Sequence, residues 1–118
     1  MIYERLTEAF DRSDAESAWS SFVRAVFVEI RRSGAKSDET RWLVDAAERL
    51  LGSDASKSEF EAMRVEIWQC IEKKNGTSTV IRDVDDRALR ALLTVLRMDG
   101  DRAVAEESAD WIDTVLGR

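Results

Sequence analysis

Between Trp19 and Ile30 the chain places Trp19, Phe22, Val23, Val26, Phe27 and Ile30 at i, i+3, i+4, i+7, i+8 and i+11. At 100° per residue all six fall on one stripe of an α-helix, whereas a strand would send alternate residues to opposite faces. Helical spacing recurs along most of the sequence, and no proline interrupts it anywhere. Nothing therefore forces a helix to kink or end, and an all-α fold is the reading that follows. At 118 residues the chain has the size of one domain, able to bury roughly two-thirds of its unfolded surface.

Six segments carry the pattern. Residues 2–10 put Ile2, Leu6, Ala9 and Phe10 on one face. In the second, Ser13 and Glu16 have capping-box spacing and Gly34 supplies a left-handed stop. Small side chains on its other side (Ser17, Ser21, Ala25), together with Val28, predict a central position with close neighbours. Residues 37–51 form a third helix closed by Gly52, with Trp42, Leu43, Ala46, Ala47 and Leu50 facing inward. The fourth begins at "SKSE", where Ser56 and Glu59 repeat the capping-box spacing, and carries Phe60, Met63, Ile67 and Ile71 to a stop at Asn75-Gly76.

A fifth helix, residues 85–98, is capped by Asp83 or Asp85. Its apolar side (Ala88, Leu89, Ala91, Leu92, Leu93, Val95, Leu96) exceeds half the circumference, leaving a narrow strip of Arg87, Arg90, Thr94 and Arg97. The last, residues 101–116, buries Val104, Trp111, Ile112 and Val115. The expected architecture is a compact five- or six-helix single domain over residues 1–118, an orthogonal array or bundle, with one short extended segment near residues 77–81. That segment, Thr-Ser-Thr-Val-Ile, favours β structure but has no second run to pair with, and reads as a connector.

Sites of chemistry are hard to find in the sequence. It contains no histidine, which removes the commonest general base, the usual zinc ligand and every Ser-His or Cys-His pair. The single cysteine, Cys70, cannot close an intramolecular disulfide and reads as a small buried hydrophobe. Asp83, Asp85 and Asp86 cluster, but Arg87 and Ala88 stand where a calcium loop needs a ligand and a glycine. "GAKS" at residues 34–37 lacks the upstream glycine and the adjacent Gly-Lys of a phosphate loop. No catalytic residue, cofactor or metal is expected. The N-terminus has neither a basic nor an apolar leader, and the longest apolar run is "AVFV", so a cytoplasmic location with no membrane passage is expected.

Charge is the most informative feature left. Residues 73–97 hold six bases against three acids, a surplus of +3; since the whole chain carries −6, the remainder carries −9. The last helix concentrates Glu106, Glu107, Asp110 and Asp113 on one face. Either these carboxylates neutralise the arginine strip of the fifth helix across a tight Asp99-Gly100 turn, or they dock a basic partner. Of the four tryptophans most are expected in the core; Trp68, beside Val65 at the edge of its stripe, is expected half-exposed.

The function read from this pattern is a non-catalytic protein-binding module. In its sharpest form it is a small acidic inhibitor or immunity-type protein that occludes a basic protein partner through Glu106, Glu107, Asp110, Asp113, Trp68 and Val65. A helical homodimer or adaptor using Val28, Val65 and Trp68 is the first alternative. A nucleic-acid regulator using Arg87, Arg90 and Arg97 is the second, opposed by a pI near 4.8 whose field repels a polyanion.

Overall fold

A computed structural model describes residues 1–75 and 83–117, without the side chains of Lys74 and Asn75. The extended segment expected near residues 77–81 lies outside the described residues. Six helices follow one another: α1 Ile2–Asp11, α2 Ala18–Arg32, α3 Asp38–Leu51, α4 Lys57–Asn75, α5 Val84–Leu93 and α6 Arg102–Leu116. No strand occurs among the described residues, so the all-α, six-helix reading holds. No helix among them is long and apolar enough to cross a membrane.

The helix at the centre is α5, which touches α2, α3, α4 and α6. Its wide apolar side explains this: Ala88, Leu89, Ala91 and Leu92 are fully buried, and three or four neighbours are needed to cover so much circumference. The sequence placed α2 there instead. That helix packs against α1, α5 and α6 and buries its whole predicted stripe, but Val28 on its far side faces solvent.

Side-chain caps form at four helix starts; of the caps expected from the sequence, those at Asp83 and Ser56 are present and the one at Ser13 is not. Ser37, Asp83 and Asp101 accept the backbone N–H of Thr40, Asp86 and Val104 respectively. At α4 the Ser56–Glu59 box closes reciprocally: Ser56 N–H donates to Glu59 Oε1 and Glu59 N–H to Ser56 Oγ, each at 3.3 Å. The Ser13–Glu16 box does not form. Ser13 Oγ instead bonds back to the Ala9 carbonyl and across to Ser21 Oγ at 2.7 Å, so a turn fills the gap and α2 starts only at Ala18.

Three burial expectations also need correction. In α3 the buried stripe is Thr40, Leu43, Val44 and Ala47, rotated about the helix axis from the expected one, and Trp42 is 54% exposed on its outer side. In α6 the inward residues are Ala105, Ala109, Ile112 and Val115, small enough to let α1, α2 and α5 approach; Trp111, 100° from Ile112, is left at the edge. Of the four tryptophans only Trp19 is buried. Finally, α5 ends at Leu93 and not Met98. The N–H groups of Thr94 and Val95 bond to carbonyls three residues back, and Thr94 Oγ1 takes the Ala91 carbonyl at 2.7 Å. Val95 and Leu96 remain buried although they are no longer helical.

Polar ties lock the outer helices. Glu29, buried on α2, receives Arg5 Nε at 2.6 Å and Nη2 at 3.2 Å, with Arg32 at 3.6 Å. The Asp85 carboxylate does not cap α5; its Oδ1 accepts the backbone N–H groups of Lys36 and Ser37 at 2.9 and 3.0 Å, fixing the entry to α3. Asp86 is buried and takes Arg90 Nε at 2.8 Å.

Candidate protein-binding surface

The outer flank of α6 holds the four acids singled out from the sequence, and the fold sorts them into different roles. Asp113 faces α1, where its Oδ1 accepts the Tyr3 N–H at 3.3 Å, near the positive end of that helix. Glu106 shares Arg102, which donates to it at 3.0 Å and makes a two-bond contact with Asp11 at 2.8 and 3.2 Å. The Arg102 bonds hold the Asp11 carboxyl below its ordinary pKa, and the guanidinium is raised in turn. Glu107 and Asp110 are exposed and have neither an ion pair nor a side-chain hydrogen bond among the described residues. With Tyr3, Ala103 and Glu106 they line a shallow hollow of about 460 Å³.

The arginine strip of α5 does not neutralise this face. Among the described residues no ion pair joins α5 to α6: Arg90 is taken by Asp86, and Arg97, just beyond the helix, donates to the Asp99 carbonyl at 2.8 Å. Along α6, Glu107 and Asp110 are therefore left exposed and unpaired among the described residues.

Beside the acidic flank runs a groove that the sequence did not reveal. Helices α4 and α6 both pack on α5 without extensive contact between themselves, leaving a trough over α5 and the turn that follows it. Its wider part, about 650 Å³, lies between Lys57, Phe60, Glu61 and Arg64 on one wall and Val104, Glu107, Ser108 and Trp111 on the other. A narrower extension of about 210 Å³ passes between Trp68 and Trp111 over Leu93 and Thr94. Both indoles are 43% exposed. Met98, 64% exposed, marks the boundary with a second cleft of about 620 Å³ that reaches Trp19, Phe27 and Leu51.

Trp68 thus stands half-exposed as expected and is joined by Trp111, which had been assigned to the core. Val65 is exposed on α4 but lines neither part of the groove. The signal that could have found Trp111 is the Ala105–Ala109 pair: small residues mark the side of closest helix approach, and Trp111 lies well off it. The groups gathered here are carboxylates, guanidinium groups, an ammonium and two indoles, equipped to bind by charge and apolar contact. Cys70 is buried, and no cluster of three metal-ligating side chains occurs among the described residues.

The class these features define is a six-helix domain with an acidic ridge next to an aromatic groove. Comparison with protein-family models, with curated proteins and with solved structures finds no match.

Proposed function

We propose that the protein is a non-catalytic binding module, a small acidic inhibitor or immunity-type protein that docks a basic protein partner on the outer flank of α6. The observation that carries this reading is the pair Glu107 and Asp110, exposed, without an ion pair among the described residues, and adjacent to the half-exposed Trp111. Unpaired surface carboxylates meet a basic surface without first giving up an internal ion pair, and they steer that surface into place. A flanking tryptophan supplies the kind of large, half-buried anchor that dominates interface energetics. Glu106 contributes through its hold on Arg102, whereas Asp113 serves mainly to seat α1.

Affinity capture from the native host tests the reading, with the E107K/D110K variant as a parallel bait. Wild type should retain a basic protein whose association slows as salt rises, and the variant should lose it. Equal retention of the same protein by both baits would remove the α6 flank from the interface.

A further inference from the structure

The second cleft, of about 620 Å³, falls in the size range of small-molecule sites, roughly 300–1,000 Å³. It opens between α2, the α3–α4 connection and the turn after α5. Its charged lining residues, Arg24, Arg97, Glu48 and Asp54, are all exposed and stand two of each sign. Glu48 is engaged by Arg31, and Arg97 by the Asp99 carbonyl. The rim therefore favours neither an anion nor a cation. The buried lining residues, Trp19, Val23, Phe27, Ala55 and Phe60, are apolar save for one group.

That group is the Trp19 indole N–H. Trp19 is 8% exposed, and its Nε1 is the only buried side-chain nitrogen or oxygen without a hydrogen-bond partner among the described residues. Buried donors are nearly always paired, which makes this one the polar feature a ligand in the cleft would meet. The ring is not free to turn the group outward. Phe22 stacks on one face, and the Cε3–Cζ3 edge packs over Gly100. The N–H lies on the opposite long edge of the indole, away from Gly100.

We propose that this cleft binds a small, uncharged, largely apolar molecule whose carbonyl oxygen accepts the Trp19 N–H. Burying an ionised carboxylate against this lining would cost far more than burying a carbonyl, because no cation stands among the buried lining residues. Once bonded to the indole, the carbonyl oxygen satisfies the unpaired donor, and the lining covers the apolar remainder. The N–H is itself covered, so the oxygen reaches it by displacing a lining side chain. Of the apolar ones Met98, unbranched and 64% exposed, yields most readily. The cleft includes neither Glu107 nor Asp110, so this site stands or falls apart from the α6 flank.

Titration with acetophenone, followed through the indole N–H resonances of the four tryptophans, tests the proposal. Ethylbenzene is the probe of like shape without the oxygen, and benzoate the anionic one. The Trp19 resonance is the one whose proton exchanges slowly with solvent, since the other three indoles are half-exposed; its loss in W19F confirms the assignment. Acetophenone should shift that resonance downfield and saturably, and should bind about tenfold or more tighter than ethylbenzene. Benzoate should bind no better than ethylbenzene. In W19F the two neutral probes should bind alike. The shift is read on the unaltered protein, so the test survives a W19F chain that folds poorly. Three results would overturn the proposal: a Trp19 resonance unmoved by millimolar acetophenone, ethylbenzene or benzoate binding as tightly as the ketone, or magnetisation transfer to the Trp19 N–H from a trapped water in the ligand-free protein.

Discussion

Gly100 tests the packing argument most directly. It precedes the Asp101 cap of α6, and its backbone is not left-handed, so conformational freedom is not its purpose. A Cβ there would sit 2.6 Å from Trp19 Cζ3 and 2.7 Å from Cε3, where carbon contacts normally lie near 3.5–4.0 Å. The indole cannot simply withdraw. It is buried and stacked on Phe22 with ring centroids 5.1 Å apart. Gly100→Ala therefore forces ring or turn to move by about 1 Å, an overpacking that costs about 1–3 kcal/mol. In urea, where a small protein loses about 1–3 kcal/mol per molar, the unfolding midpoint should fall by about 1 M with the slope unchanged. Trp19→Phe provides the control. The Trp19 indole N–H has no hydrogen-bond partner among the described residues, so the substitution shortens the ring without breaking such a bond. In that background the further cost of Gly100→Ala should drop below about 0.5 kcal/mol, a coupling that a double-mutant cycle measures. Additive costs in the cycle, or a G100A midpoint equal to wild type, would refute the close-approach explanation.

Gly34 should behave differently, because its φ of 77° is left-handed and its Cβ would meet nothing within 4 Å. Gly34→Ala should cost about 1–2 kcal/mol from backbone strain alone, and Gly34→Asn should recover part of it in the same denaturation assay. Asp85→Ala removes the acceptor for two backbone N–H groups and should cost about 1–3 kcal/mol, with faster amide exchange at Lys36 and Ser37; Asp85→Asn, which keeps an acceptor oxygen, should lose much less. For Asp11, whose carboxyl is held below its ordinary pKa first by the Arg102 hydrogen bond, the stabilisation is present above the unfolded value near pH 4 and disappears as pH falls through the lowered folded value. Asp11→Asn should thus be less stable than wild type at pH 7 and converge on it toward pH 2; a gap that stays constant across that range would show that the bond is not the cause.

Local regularities in the sequence were enough for the helices and most of their caps. Helical spacing and capping chemistry act over three or four residues, so the stripe from Trp19 to Ile30, the Ser56–Glu59 box and the Asp83 cap could be read directly. Where the reading failed or stayed open, a group outside the helix concerned decided it: Ser13 bonds to the Ala9 carbonyl of α1 and to Ser21 instead of capping α2, and between Asp83 and Asp85 the second was taken by backbone N–H groups nearly fifty residues away, before α3.

The candidate surface was half legible for the same reason. Composition and periodicity set the acidic flank of α6 and the edge position of Trp68, because both follow from angle around a single helix. Which carboxylates are already used, as Asp113 is by Tyr3, and which aromatic joins Trp68 across the groove, depend on where α1, α4 and α6 settle around α5. Those placements arise from packing between elements far apart in the chain, and only the tertiary structure decides them.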